Sequence, residues 1–360
     1  MSAAANPAFT AVHSPTPSRA VGLWLLACCA MVFAMAVIGA ITRLTESGLS
    51  IMEWAPVSGV LPPLTQNEWQ RLFDLYRQIP QYQQLNAGMS LEEFQTIFWW
   101  EYIHRLWGRL IGAVFVVPLI WFWLRGRIDR PLGWKLLLAL ALGGAQGLLG
   151  WFMVASGFAE RTEVSQYRLT AHLVLALAIY AYLLWLAFAI FWPRPERSRD
   201  TAALPLRRAL WVLLALVAVT IASGGFVAGL NAGMTYNTFP LMDGDVIPRG
   251  YADLSPWIAN LFENVAAVQF NHRLLAVATV ALTLVLWLWA LSRDLPPAVN
   301  GGFAALAILA LIQLALGITT LLLVVPITLG ALHQAGAILV LTATLWTLYH
   351  LRGRPGPAQP

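Results

Sequence analysis

This chain is short of charge and nearly free of cysteine. Acidic and basic residues together make up 11% of its 360 residues, against roughly 25% in an ordinary soluble domain, which argues against a water-facing surface all round. The two cysteines, Cys28 and Cys29, are adjacent. Neighbours on a helix point in different directions and are poorly placed to pair. A disulfide framework and a zinc-type cysteine spacing are therefore both missing, and the pair reads as small buried apolar residues. The alternation that builds a membrane barrel is absent too, because the apolar runs are too long and too uniform.

Those runs dominate what is present. Hydrophobic residues make up 59% of the chain and the mean hydropathy is +0.67. A bilayer-crossing helix needs about 20 consecutive, mostly apolar residues. Eight runs qualify, at 20–41, 102–124, 133–154, 170–192, 208–230, 272–291, 302–323 and 326–350, each bounded by charges, prolines or a polar loop. The expectation is an all-α polytopic membrane protein. Residues 1–19, rich in Ala, Ser, Thr and Pro, read as a disordered tail. The run from Val21 to Ile41, with only Arg19 before it, is too long for a signal peptide and reads as the first span. Leu25–Cys28 is a poor match to a lipoprotein cleavage site.

Loop charge sets the expected orientation. With eight spans both ends lie on one side, which collects Arg19, Arg125, Arg127, Arg130, Lys135, Arg194, Arg197, Arg199, Arg207, Arg208, Arg293, Arg352 and Arg354. The opposite side carries longer loops bearing Glu46, Glu53, Glu68, Asp74, Glu92, Glu93, Asp243, Asp245, Asp253 and Glu263. The positive-inside rule places both termini in the cytoplasm, in a bacterial inner membrane. The net charge of +5 belongs to these rims and calls for no nucleic acid.

The chain repeats itself. Gly48–Pro62 after the first span and Gly233–Pro248 after the fifth both run Gly, small hydroxyl, aromatic, Pro, Gly, Pro, with small shifts in spacing. Tyr102-Ile-His104-Arg105 opens span two and Phe270-Asn-His272-Arg273 opens span six. Gln146-Gly147 and Gln313 to Gly317 mark spans three and seven, and His172 and His333 mark spans four and eight. Four spans followed by four keep the same membrane orientation, so the duplication is parallel. It predicts two tandem pseudo-symmetric four-helix bundles, 20–192 and 208–350, joined by a cytoplasmic linker at 193–207 and followed by a tail at 351–360. The longest external loop, 42–100, places Trp69, Leu72, Phe73 and Tyr76 on one helical face, to lie on the membrane or on the bundle. Ser90 with Glu93 resembles a capping box opening a helix that runs into span two.

Four of the six histidines carry the functional reading. His104, His172, His272 and His333 all sit near the start of an even-numbered span, at a similar depth on the external side. His13 lies in the tail and His350 at the cytoplasmic end. A single membrane histidine is accounted for by a bond to a neighbouring helix. Four at equivalent places of a repeat suggest function. Two imidazoles facing each other within a bundle make a bis-histidine haem site; zinc or copper would want carboxylate or thiolate partners as well. Arg105, Arg109 and Arg273 are candidates for pairing with haem propionates, or for anchoring span ends at the interface. Glu101 stands three residues before His104, where the other half has Gln269. A carboxylate beside only one site suggests that one site does chemistry and the other moves electrons; the alternative is an acid at a helix entry.

Gly39-Ala-Ile-Thr-Arg-Leu-Thr-Glu-Ser-Gly-Leu-Ser50, Trp54-Ala-Pro-Val-Ser-Gly-Val-Leu-Pro-Pro63 and Glu101-Tyr-Ile-His-Arg105 resemble the haem A synthases, the CtaA/Cox15 family, over nearly the whole chain. The first loop without cysteines resembles the proteobacterial and mitochondrial branch; other members carry a cysteine pair there. The resemblance implies oxidation of a methyl group of haem O to a formyl group, through two hydroxylations and loss of water from a gem-diol, giving haem A for terminal oxidases. It implies a haem b cofactor on His272 and His333, the substrate haem on His104 and His172, and Glu101 as the important carboxylate. Haem O synthase and oxidase assembly factors are the partners such chemistry would meet, and a homo-oligomer is compatible with it. Two other readings stay open: a di-haem b-type cytochrome drawing electrons from quinol, and a haem or metal transporter.

Overall fold

In lipid every backbone polar group has to be satisfied within its own segment, which leaves helices as the form for these apolar runs. The computed structural model describes residues 19–55, 58–158, 161–193 and 203–352. Most of the expected tails and linker, with His13, Arg194, Arg197, Arg199 and Arg354, lies outside the described residues. Ten α-helices follow in chain order: α1 (Arg19–Leu44), α2 (Gln66–Tyr76), α3 (Pro80–Gln84), α4 (Leu91–Leu124), α5 (Arg130–Val154), α6 (Gln166–Phe191), α7 (Ala203–Gly229), α8 (Val265–Leu291), α9 (Pro297–Leu322) and α10 (Ile327–His350). All but α2 and α3 are long and apolar enough to cross a membrane, and the described residues contain no strand.

Helix ends are set by local chemistry. Asp129 caps α5 by accepting from the Leu132 N–H, with Pro131 in the first turn, and Asn264 caps α8 through the Ala267 N–H. Ser90 and Glu93 form the expected capping box at the start of α4. Thr65 and Glu68 form a second box, opening α2. At 34 residues, α4 is about 51 Å long at 1.5 Å per residue, well beyond a hydrocarbon core of about 30 Å. Its first turns therefore stand outside the bilayer.

The loop between α1 and α4 packs on that projection. Trp69 meets Phe98 edge-on at 4.8 Å, and Phe73 stacks on Phe94 at 5.0 Å. With Tyr76, Ile79 and Leu49 they form an apolar cluster separate from the main core. Of the two places open to the amphipathic helix, the structure chooses the protein, because α4 offers an aromatic face above the membrane.

Helix α1 packs against α4 and α6, and α5 packs on α6. In the second set, α7 contacts α8 and α10, and α9 contacts α8 and α10. The two sets meet along α1, α6, α7 and α10. One apolar core runs through both sets, including Leu25, Leu186, Leu213, Phe303 and Leu348. Small residues permit close approach: Gly22 faces Phe191 of α6, and Gly302 faces Thr347 of α10. At the end of the bundle that carries α2 and α3, Arg43 of α1 binds Glu163 at 2.7 Å and Asn231 at 2.8 Å, tying the end of α1 to the loops after α5 and α7. The sets differ in how closely their helices pair: α1 packs more closely on α6 than α7 does on α10, α9 more closely on α10 than α5 does on α6, and α8 packs along α9 whereas α4 and α5 meet only briefly.

Candidate functional site

The four histidines fall on α4, α6, α8 and α10, the even-numbered spans. His172, His272 and His333 lie about two turns into their helices. His104 is further along α4, which compensates for that helix's N-terminal extension. His104 and His172 belong to the first set of helices, His272 and His333 to the second. All four residues are half-buried.

Each ring has a glycine seat on the preceding span. A Cβ placed on Gly39 would lie 3.4 Å from Cε1 of His104, and one on Gly224 would lie 3.2 Å from Cε1 of His272. The corresponding distances are 3.0 Å for Gly150 and His172, and 2.8 Å for Gly317 and His333. Ordinary van der Waals contact between carbons begins near 3.5 Å, so at three or more of these places a side chain would displace the imidazole. Sequence reading did not single out these glycines as seats. The signal was their recurrence on spans one, three, five and seven.

Carboxamides hold the second histidine of each pair. The Gln146 amide donates to the His172 carbonyl at 3.0 Å and lies 3.1 Å from Nδ1 of its ring. The Gln313 amide repeats this on His333, at 2.9 Å and 3.1 Å. The Gln–small–Gly theme of spans three and seven thus has a spatial role. Ser223, which sequence reading missed, places its hydroxyl 2.8 Å from Nδ1 of His272.

Glu101 is buried at 3% exposure and fully engaged. Its carboxylate accepts from the Ser50 hydroxyl at 2.7 Å, the Ile51 N–H at 2.8 Å, and the Arg105 guanidinium at 2.6 and 3.0 Å. Arg105 also donates to the Ile51 and Glu53 carbonyls. The second set reproduces this with the polarity reversed. The Gln269 amide donates to the Ala232 and Thr235 carbonyls, at 2.7 and 2.6 Å, and accepts from Arg273 at 3.1 Å. Arg273 donates in turn to the Tyr236 and Thr238 carbonyls. The matched loop motifs of the sequence are therefore the segments clasped by these two pairs. Arg109 reaches the Ala55 carbonyl at 2.8 Å. All three arginines considered for propionates follow the first histidine of a pair on the same helix and spend hydrogen bonds on loop carbonyls.

Comparison with known proteins identifies the family. The sequence profile of the cytochrome oxidase assembly protein family COX15-CtaA matches residues 22–345. Among curated proteins, the chain is 51% identical over 341 residues to a haem A synthase of Nitrosomonas eutropha, covering 94% of each chain. It is 51% identical over 334 residues to one from Nitrosospira multiformis, covering 93% of this chain and 94% of the relative. The figure is again 51% over 354 residues for one from Rhodospirillum centenum, covering 98% and 94%. Likeness on this scale runs through all eight long apolar helices, and the chain belongs to the COX15-CtaA family of cytochrome oxidase assembly proteins.

Proposed function

We propose that the protein is a haem A synthase, oxidising a methyl group of haem O to a formyl group, and that its two histidine pairs divide the work. The observation that carries this is the isolation of the pairs. Among the described residues, no three His, Cys, Asp or Glu side chains converge in a way that could hold a metal ion. A bare zinc or copper ion wants three or four protein ligands. Two imidazoles suffice where a porphyrin supplies the other four. The names of the relatives supply the reaction.

His272 and His333 hold a resident haem b, which when bound supplies one-electron redox chemistry. His104 and His172 take the iron of the substrate haem O. The looser contact between α4 and α5 supports this division, since a substrate has to enter and leave. Arg105, Arg109 and Arg273 are the cations offered to haem propionates, held in place by the loop carbonyls. Conversion of CH3 to CHO, by two hydroxylations and loss of water from the gem-diol, has the net balance CH3 + H2O → CHO + 4 H+ + 4 e− when written with water as the oxygen source, the electrons passing to an oxidant outside the chain. Glu101, one turn before His104, holds a fixed carboxylate beside that edge, to stabilise positive charge or take a proton as electrons leave carbon.

Residues 20–192 form the substrate half and 208–350 the cofactor half, related by pseudo-symmetry. The basic rim faces the cytoplasm of a bacterial inner membrane, where haem O synthase and oxidase assembly factors would meet the protein. Haem extraction from cells with and without the gene tests the reading. Cells lacking it should accumulate haem O and contain no haem A. Unchanged haem A, in a cell encoding no second synthase, overturns it.

A further inference from the structure

We infer that Ser223 is a positioning residue that fixes His272 as an iron ligand, and that its absence beside His104 sets a resident haem site apart from a substrate site. The inference rests on the assignment of His272 and His333 to the resident haem.

The direction of the hydrogen bonds carries the argument. The Ser223 hydroxyl lies 2.7 Å from the Thr220 carbonyl oxygen and 2.8 Å from Nδ1 of His272. A carbonyl only accepts, so the hydroxyl proton is committed to Thr220 and the oxygen turns lone pairs toward the ring. The Nδ1 nitrogen then carries the imidazole proton, which leaves the Nε2 lone pair for iron. Thr220 is itself anchored, bonding to the Leu216 carbonyl at 2.8 Å and to Thr279 of α8 at 2.9 Å. Gly224, the next residue, lets the ring come up against α7. Tautomer and ring plane are thus set before any haem arrives.

The other set lacks this device. Ile38 precedes Gly39 as Ser223 precedes Gly224, and isoleucine has no group to bond the ring. No hydrogen bond to either ring nitrogen of His104 occurs among the described residues. A glutamine contact to Nδ1 of the second histidine occurs in both sets, with Gln146 also 3.2 Å from Nε2 of His172, and neither glutamine touches the ring of His104 or His272. A ligand free to turn suits a haem that must be released, and a pre-set one suits a haem that stays. A hydrogen bond from Nδ1–H also makes the imidazole a stronger donor, which favours ferric over ferrous iron and lowers the potential.

The test uses purified full-length protein with wild-type, S223A, S223T and H272A chains. It reads haem b content, the rate of haem loss to an acceptor protein, and the midpoint potential of the bis-histidine haem. S223A should keep the low-spin spectrum but retain haem roughly 10- to 100-fold less well, as expected for loss of an outer-shell partner. Its redox equilibrium should shift about tenfold toward the ferrous form, a rise of about 59 mV for one electron. S223T, which keeps a hydroxyl, should restore both. Retention and potential unchanged in S223A would overturn the inference while leaving the haem assignment standing. Haem b retained at full occupancy with an unchanged bis-histidine spectrum in H272A would instead overturn the assignment. If S223A fails to assemble, S223C keeps the volume with a poor acceptor, and an unshifted potential there overturns the inference equally.

Discussion

Glu101 and Gln269 occupy matching places in the two sets and make opposite hydrogen bonds to the loops they hold. The carboxylate takes protons from Ser50, Ile51 and Arg105, whereas the carboxamide gives them to the Ala232 and Thr235 carbonyls. Removing one partner of a buried ion pair costs about 3–5 kcal/mol, so Glu101→Ala should loosen the 45–55 loop. Glu101→Gln keeps the shape, and Arg105 still reaches the Ile51 and Glu53 carbonyls. We expect Glu101→Gln to leave both haem sites occupied but to stop oxidation at or before the hydroxylated product, measured as the haem composition of cells expressing it. Near-normal haem A would show that Glu101 only clasps the loop, and loss of all bound haem would make its role structural. The spacing of Glu101 and His104 was legible in sequence because three residues make one helical turn. Its partners at Ser50 and Ile51 were not, because they arrive from a loop fifty residues away.

At the scale of elements, the docking of α2 on α4 sets aromatic burial against a surface ion pair. Phe73 is 6% exposed and packs on Phe94 and Tyr82. Arg71 and Glu53 bind each other at 2.8 Å, with side chains 55% and 47% exposed. Large-to-small changes at buried phenylalanines cost about 3–5 kcal/mol, and exposed ion pairs contribute about 0.2–1 kcal/mol. Phe73→Ala should therefore open the 60–90 loop to limited proteolysis and Arg71→Ala should barely do so; equal protection of both variants would refute the ordering. The hydrogen bond from Arg71 holds the Glu53 carboxyl below the usual carboxylate range. That small contribution is complete above the unfolded value and is lost as pH falls through the folded one. The amphipathic pattern of α2 was readable from its period. Its resting place was not, since a helix face specifies apolar contact without saying whether lipid or protein supplies it.

For the whole molecule, the basic residues Arg125, Arg127, Arg130, Lys135, Arg207, Arg208, Arg293 and Arg352 gather at one end of the bundle, opposite α2, α3 and the histidine pairs. If that end is cytoplasmic, a single cysteine at Gln70, in a chain whose two native cysteines are replaced, should react with an impermeant thiol reagent in intact spheroplasts. One at Arg127 should react only after lysis. Labelling of Arg127→Cys from outside would invert the topology. Both positions are exposed, so failure to react reports the side of the membrane rather than burial.

The sequence by itself determined the helical class, the number of spans and the recurrence of a histidine on every even span. Each depends on local composition and on a repeat written along the chain, and lipid leaves an apolar run of that length little alternative to a helix. Tertiary structure alone decided which groups surround those histidines. It brought glycines from odd-numbered spans under the rings, turned the guanidinium groups of Arg105 and Arg273 onto loop carbonyls, and set Ser223 against His272 but isoleucine at the matching place near His104. Such contacts join residues 16 to 65 positions apart. They depend on the rotation of one helix about its axis relative to the next, which is settled by packing the whole bundle at once.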